Sequence, residues 1–215
     1  MNIDDIEAFY RARDARTVQY GGDNRALETE IVLIGGAVTT TRPGQVAVLA
    51  MVNMMARTHR RFTVSVPRAK LVAKSLIAAS SLEEAVARTA LAINPAAHLV
   101  VNGVRIDANA VSTAAVSRIS LGVDTASDAD AHIGWSGGRG LVSTRRVDVG
   151  CEDTDVLGAA TAACMGVHAL FELSHGRGVH PCALNLAERR SYERDTLSPC
   201  GCPTSEAEKG NSTIT

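Results

Sequence analysis

The sequence has no excess of basic charge. Its 215 residues carry a formal net charge of −1, and Lys and Arg do not gather into a stripe. Because nucleic-acid binding needs a positively charged surface, we expect no nucleic-acid partner. The densest basic cluster comprises Arg57, His59, Arg60 and Arg61. It lies where a helix is predicted to end, and the helix dipole favours positive charge there.

The sequence also lacks a signal-like N-terminus. Residues Met1 to Asp5 are acidic, whereas a signal peptide begins with positive charge and continues into an apolar stretch. We expect no apolar stretch long and uncharged enough to span a bilayer. The sequence therefore predicts a cytoplasmic protein without a membrane partner.

A regular cysteine framework is missing as well. The five cysteines are Cys151, Cys164, Cys182, Cys200 and Cys202. An odd number without regular spacing favours free thiols in a reducing compartment. Cys200 and Cys202, with Cys182 and His180, could furnish a metal site, but structural zinc usually takes two C-x-x-C-like pairs and none is present. Cys164 lies in a small-residue segment and is predicted to be a packing residue.

The most informative segment is a short apolar run that ends in two glycines. Ile31 to Ile34 precede Gly35 and Gly36, and a helix is predicted to begin near Pro43. Such a turn directs unpaired N–H groups and the positive end of a helix dipole to one point, which attracts phosphate. The next glycine is Gly44, so the usual G-x-G-x-x-G spacing is absent. We interpret Gly35 and Gly36 as a remodelled or lost nucleotide site.

Helical and strand patterns alternate along the chain. Helices are predicted at about 3–15, 45–60, 82–93, 107–115 and 156–175, and strands at 31–34, 62–66, 98–103 and 119–124. Residues 133–143 form two apolar runs around a Gly-Gly pair, which favours a hairpin over a phosphate loop. The sequence predicts a Rossmann-like, mostly parallel α/β sheet with helices on both faces, extended by antiparallel strands. It spans residues 1–187, and residues 188–215 are predicted to be a polar tail or linker.

Several short segments in this order resemble the ThiF/MoeB/HesA adenylyltransferase superfamily, which includes the ubiquitin-activating enzymes. The matching segments are 16–21, beginning with Arg16, the strand and turn 31–36, the Ile-Asn-Pro at 93–95, Gly122-Val123-Asp124, the hairpin 133–141 and the helix 157–172. The resemblance covers about residues 9–187. It implies ATP and Mg²⁺ as cofactors, with Gly35, Gly36 and Asp124 near the nucleotide. No cofactor follows from the residues alone.

The departures from the family pattern point to an inactive member. Adenylating members have an acid after the second strand, but this chain has Val66-Pro67 there, and no asparagine–arginine stretch follows. Leu82 stands where those members have a lysine. Cys151 lacks a neighbouring base that would mark it as the acceptor of an activated product. No catalytic residue is therefore assigned within the chain.

Ubiquitin-activating enzymes pair an active adenylation domain with an inactive one, which can lend an arginine across the interface. Arg16 matches that position, and the alternative is a surface arginine at a helix end. The predicted function is that of a noncatalytic partner or scaffold in activation of a ubiquitin-like, sulfur-carrier or peptide substrate. The partner would be a second copy or an active adenylation paralogue, bound through the helix at 156–175.

Two other functions are weighed against this one. The first is an active ATP-dependent adenylyltransferase with a remodelled site. The second is a dinucleotide-binding oxidoreductase, which the missing ribose-binding acid at Val66-Pro67 disfavours.

Overall fold

The structure, a computed structural model, describes residues 3–19, 29–73, 78–106, 115–122, 128–147, 155–185 and 190–193. Four helices are described: α1 (Ile3–Gln19), α2 (Arg42–Thr58), α3 (Leu82–Ile93) and α4 (Val156–Ser174). The strands are β1 (Glu30–Gly35), β2 (Arg61–Ser65), β3 (His98–Val101), β4 (Val104–Arg105), β5 (Val116–Leu121), β6 (Ala131–Ser136), β7 (Arg139–Ser143), β8 (Cys182–Asn185) and β9 (Arg190–Glu193).

These strands form one sheet in the order β4-β3-β2-β1-β5-β6-β7-β8-β9. The five central strands of this sheet are parallel to one another: β3, β2, β1, β5 and β6. The outer pairs are antiparallel. This confirms the predicted Rossmann-like α/β class, with a parallel centre extended by antiparallel strands.

One face of the sheet carries the main core. Phe62 of β2 lies in register between Ile31 of β1 and Leu99 of β3, and all three are buried. The helices α2, α3 and α4 pack side by side over this face. Residues 107–114 of a further helix, predicted in the crossover from β4 to β5, lie outside the described residues.

The helix starts follow the capping signals in the sequence. Ser81 accepts a hydrogen bond from the Glu84 N–H at 3.2 Å, which caps α3. Asp155 caps α4 by accepting from the Gly158 N–H at 2.8 Å. The helix predicted to run to residue 60 ends at Thr58, because His59 takes an extended conformation and caps α2.

The sheet differs from the prediction at two places. The strand predicted at 98–103 ends at Val101, because Asn102 and Gly103 turn the chain with positive φ angles of 49° and 76° into β4. At the other edge, β9 pairs with β8 and lies within the segment predicted to be a tail. The sheet therefore continues beyond residue 187. An edge strand needs no apolar pattern, so its polar sequence gave no signal.

Two expectations about α4 are wrong. By length and composition this helix is apolar enough to cross a membrane, whereas no such stretch was expected. Its inner side covers the sheet: a Cβ on Gly166 would lie 3.1 Å from Ile133, and one on Gly140 of β7 would lie 2.4 Å from the Ala162 nitrogen. Cys164, predicted to be a packing residue, is exposed on the outer side.

Candidate functional site

The predicted nucleotide site lies at the carboxyl end of the parallel strands, where β1 turns towards α2. Gly36 donates its N–H to the Leu121 carbonyl of β5 at 2.9 Å, which fixes the start of the turn. Gly35 is required by packing: an added Cβ would lie 2.6 Å from Thr39 Cγ2 and 3.0 Å from Val66 Cγ1. The fully buried Thr39 side chain therefore fills the space against Gly35.

The turn continues as a 3-10 turn over Ala37–Thr40 that satisfies its own hydroxyl groups. Thr39, Thr40 and Thr41 each donate a hydroxyl hydrogen bond of 2.8 Å to the carbonyl three residues earlier. The backbone N–H groups of Thr39 and Thr41 also donate within the turn, each at 3.0 Å. These donors are consequently committed to the turn itself.

The start of α2 is covered by this 3-10 turn. Thr41 caps the helix by accepting from the Gly44 N–H at 3.3 Å, and Pro43 has no N–H to offer. A Cβ on Gly44 would lie 2.1 Å from the Val38 carbonyl oxygen. That oxygen lies against the positive end of the helix dipole, where a phosphate would otherwise bind.

The segment after β2 is held down by Gln45, a residue that the sequence reasoning missed. This fully buried side chain in the first turn of α2 donates to the Lys70 carbonyl at 2.8 Å. Its oxygen accepts from the N–H groups of Val72 and Ala73, at 2.7 and 2.9 Å. The Gln45 side chain therefore satisfies three backbone groups of the loop after β2. No pattern in the sequence indicates that this loop lies close to Gln45.

The position of the missing acid is occupied by apolar packing. Val66 follows β2, is buried, and approaches Gly35. Its N–H donates to the Asn102 side-chain oxygen at 2.8 Å. Asn102 was missed because the Asn-Gly pair was interpreted as the end of a strand, although this dipeptide is typical of hairpin turns. Leu82, at the position where the family resemblance implies a lysine, is fully buried in α3.

Other predicted site residues lie outside the part of the chain that the structure describes. The strand predicted to end at Asp124 ends at Leu121, and Asp124 lies outside the described residues. Cys151, Cys200 and Cys202 also lie outside them. Among the described side chains, no three His, Cys, Asp or Glu lie together as metal ligands.

The Gly-Gly pair of the β6–β7 hairpin is a turn, as predicted. Gly137 and Gly138 have φ angles of 55° and 78°, and Ser136 pairs with Arg139 across them. The Gly138 N–H donates to Asp155 at 2.9 Å. The same carboxylate caps α4, so it joins the hairpin to the helix.

Arg16 belongs to α1, which is anchored at the opposite edge of the sheet. Tyr10 donates its hydroxyl to the Ala96 carbonyl at 2.6 Å, and Asp14 binds Arg60 at 3.0 Å. Ala96 and Arg60 precede β3 and β2, so they mark the amino ends of these strands. Gly35 and Gly36 lie at the carboxyl ends. The described contacts of α1 therefore lie at the end of the sheet opposite the turn after β1, and the Arg16 side chain lies outside the described residues.

The contacts of α1 form a compact polar cluster. The Tyr10 ring lies between two guanidinium groups, with Arg13 Cζ at 4.7 Å and Arg60 Cζ at 4.5 Å from its centroid. Asp14 also accepts from Arg13 Nε at 2.6 Å. We call Tyr10, Arg13, Asp14 and Arg60 the α1 latch. Burial raises the pKa of Tyr10, so its hydroxyl stays protonated as a donor.

A buried histidine, His59, contacts Arg13 of the α1 latch. The His59 carbonyl accepts from Arg13 at 3.3 Å and from Asn94 at 3.2 Å, and its Nε2 lies 3.2 Å from the Ser174 hydroxyl. Burial, with smaller contributions from Arg13 and His175, lowers the pKa of His59 from 6.5 to about 4. His59 therefore joins the carboxyl ends of α2, α3 and α4 as a neutral group at pH 7.

Comparison with solved structures shows a fold shared with a known protein. Escherichia coli MccB has a similar fold. Its structure with succinimide gives a TM-score of 0.59 at 10% identity over 90% of this chain and 73% of MccB. The complex with SeMet MccA gives 0.57 at 11% identity over 93% and 75%. The complex with ATP gives 0.56 at 10% identity over 88% and 73%.

These likenesses show that the chain shares its fold with MccB. No curated protein matches the chain in sequence. The model of the BilD N-terminal domain matches residues 31–189, from the first residues of β1 to the start of β9. Because this match covers most of the chain, the protein belongs to the BilD N-terminal domain family.

Proposed function

We propose that this chain is a noncatalytic ThiF-like domain that assists an active adenylation domain. The substrate activated by the complex would be a ubiquitin-like protein, a sulfur carrier or a peptide. MccB structures that contain MccA and ATP support the choice of an adenylation complex. In this proposal ATP and Mg²⁺ bind at the active partner.

The closed turn after β1 is the observation that carries the proposal. Adenylation requires donors and cations around the reacting phosphates and an acid that holds Mg²⁺. In the turn, the N–H groups of Gly36, Thr39, Thr41 and Gly44 already donate to protein oxygens. Thr39 fills the space against Gly35, and Val66 packs where an acid would follow β2. Binding a triphosphate there would require these hydrogen bonds to break.

The anchoring of α1 supports a role for Arg16 at another domain. The α1 latch holds this helix at the amino edge of the sheet, away from the turn after β1. In this proposal Arg16 meets a phosphate at a site contributed by the partner. The planar guanidinium would then stabilise the charge that develops during transfer.

The proposal is tested by measuring ATP binding to the isolated full chain. Equilibrium dialysis with ATP and Mg²⁺ should give no saturable binding up to about 1 mM ATP. A dissociation constant of about 1 mM corresponds to a binding free energy of about −4 kcal/mol. The same chain should also give no ATP–pyrophosphate exchange with ubiquitin-like or peptide substrates. Exchange above background that Asp124→Ala abolishes would establish the active-enzyme alternative instead. Saturable binding at micromolar ATP would likewise reject the closed-site interpretation.

A further inference from the structure

The buried contacts of α1 lie in its second half. Of residues 4–15, whose exposure the structure describes, only Tyr10 and Asp14 are buried, and residues 4–8 are exposed or half-buried. Both buried side chains reach distant segments of the chain, at 2.6 and 3.0 Å. The α1 latch therefore holds the half of the helix that continues to Arg16, and not the half where the helix begins.

The anchors of the α1 latch fix both the position and the rotation of the helix. Tyr10 and Asp14 lie four residues apart, on the same side of α1. Tyr10 donates to a backbone carbonyl before β3 at 2.6 Å, and Asp14 accepts from Arg60 before β2 at 3.0 Å. Arg13 adds a third contact from the same turn by donating to the His59 carbonyl at 3.3 Å. A helix held at three points cannot roll or slide without breaking one of these hydrogen bonds.

Arg16 follows these anchors within one helical turn. Its position comes two residues after Asp14, which is about 3 Å further along the helix axis and about 200° around it. The Cα atom of this position therefore lies on the side of α1 away from that of Asp14. Arg16 also begins the last turn of the helix, which ends at Gln19. Because helix ends fray where nothing holds them, the order at position 16 depends on the turn before it.

We propose that Tyr10, Asp14 and Arg60 are positioning residues for Arg16. They fix the turn from which this arginine reaches the phosphate at the partner's site. The inference rests on the proposed function, which takes Arg16 as the cation that stabilises the transferring phosphate. Groups that act in catalysis must be held close to their productive geometry, and a misplacement of about 1 Å can cost about 100-fold in rate. The anchors therefore affect the reaction without touching substrate, because they set where Arg16 begins.

The test is a double-mutant cycle in the full chain assembled with an active adenylation domain. Asp14→Asn should lower kcat for product formation by about three- to tenfold and leave KM for ATP unchanged, since ATP binds at the partner. In an Arg16→Ala background the same change should have no further effect, because the group that it positions is gone. A loss of folded or assembled chain would instead lower the rate by the same factor in both backgrounds. Tyr10→Phe removes only the hydroxyl and should act in the same way with a smaller loss.

Two comparisons separate positioning from general stability. Ser81→Ala removes the N-terminal cap of α3, which lies outside the α1 latch, and should leave kcat unchanged. Arg60→Lys should retain more of the rate than Arg60→Ala, because an ammonium group can still bind Asp14 although it lacks the planar fork. Circular dichroism confirms that each variant is folded.

The order at position 16 is measured on the isolated chain. A nitroxide on Arg16→Cys, in the full chain with its five native cysteines changed to Ser, should give the paramagnetic resonance spectrum of an ordered helix position. Asp14→Asn should increase the mobility of this nitroxide. A nitroxide on Val104→Cys is the control, because this 62% exposed residue of β4 is not part of the latch. Its spectrum should not change with Asp14→Asn.

The outcomes separate this inference from the proposed function. If Arg16→Ala leaves turnover unchanged, the role of Arg16 in the proposed function is wrong and the latch has no catalytic arginine to position. If Arg16→Ala slows the reaction but Asp14→Asn slows it equally with and without Arg16, the proposed function stands and the positioning role is overturned. A nitroxide at position 16 whose mobility does not change with Asp14→Asn would also overturn the positioning role.

Discussion

Asp14 Oδ2 accepts a hydrogen bond from Arg60 at 3.0 Å, across 46 positions of the sequence. The same carboxylate binds the neighbouring Arg13, and its side chain is only 7% exposed. Two guanidinium groups therefore share one nearly buried anion between α1 and the entry to β2. This pair of contacts links the N-terminal helix to the sheet.

We expect Asp14→Asn to destabilise this link. The change keeps the shape of the side chain but leaves two partly buried cations without their anion, at a cost of about 1.5–3 kcal/mol. Urea unfolding should show the loss in free energy, and hydrogen exchange should show faster opening of α1. Asp4→Asn makes the same chemical change at an exposed position of α1 and should have little effect. Equal effects of the two variants would contradict a stabilising latch.

Gln45→Leu should loosen the segment after β2. The substitution leaves the Lys70 carbonyl and the N–H groups of Val72 and Ala73 without their partner, at about 2–4 kcal/mol in total. Trypsin should then cut faster after Lys70. Asn53→Leu is the control, since it removes a half-buried amide of the same helix that accepts an exposed hydrogen bond from Arg57. Unchanged cleavage and stability in Gln45→Leu would show that Gln45 does not hold this loop.

We expect the protein to become less stable in acid because His59 becomes protonated. Its folded pKa of about 4 is below its ordinary value of 6.5, so the unfolded chain binds a proton first as pH decreases. The free energy of unfolding should therefore decrease between pH 6.5 and pH 4 by up to about 3 kcal/mol from this group. His59→Gln should flatten this part of the profile, while exposed His168→Gln should not. If the free energy of unfolding changed with pH in the same way for wild type and His59→Gln, His59 would not be the group that causes the loss of stability in acid.

Arg16→Ala should slow product formation without preventing assembly. In a competent complex with an active adenylation domain, we expect a decrease of about tenfold or more, since a cation that meets the transferring phosphate is lost. Arg16→Lys should restore part of the rate, because it supplies charge without the planar fork. Unchanged turnover in Arg16→Ala would leave the chain as a scaffold only.

The control for this experiment follows from the structure. Arg11 and Arg13 both precede Arg16 on α1 and are candidates for a comparison variant. Arg13 binds Asp14 and lies over Tyr10, so its removal would also disturb the α1 latch. Arg11 is exposed and is the suitable comparison.

Local signals predicted most of the fold. The Gly137-Gly138 turn and the helices α2 and α4 each depend on residues close together in the chain, and each was predicted and is present. Strand β9 was missed because an edge strand can be stabilised by backbone pairing without an apolar face.

The site was harder to predict because it depends on contacts between distant segments. The glycine spacing indicated a departure from a nucleotide-binding turn. It could not show that Thr39 fills the space against Gly35, that Val66 covers it from β2, or that Gln45 holds a loop 25 residues away. Polar side chains that satisfy distant backbone groups have no periodicity for a sequence pattern to reveal.

The contact between Gly44 and the Val38 carbonyl bears on whether this turn could be converted into a phosphate-binding turn. An added Cβ at residue 44 would lie 2.1 Å from that oxygen, so the backbone of the 3-10 turn rests directly on the helix. Placing glycines at the G-x-G-x-x-G spacing would leave this backbone in place. Conversion would require residues 36–41 to be rebuilt together, and intermediates along that route would lose hydrogen bonds before gaining a ligand. We therefore expect that single substitutions do not create a phosphate site here.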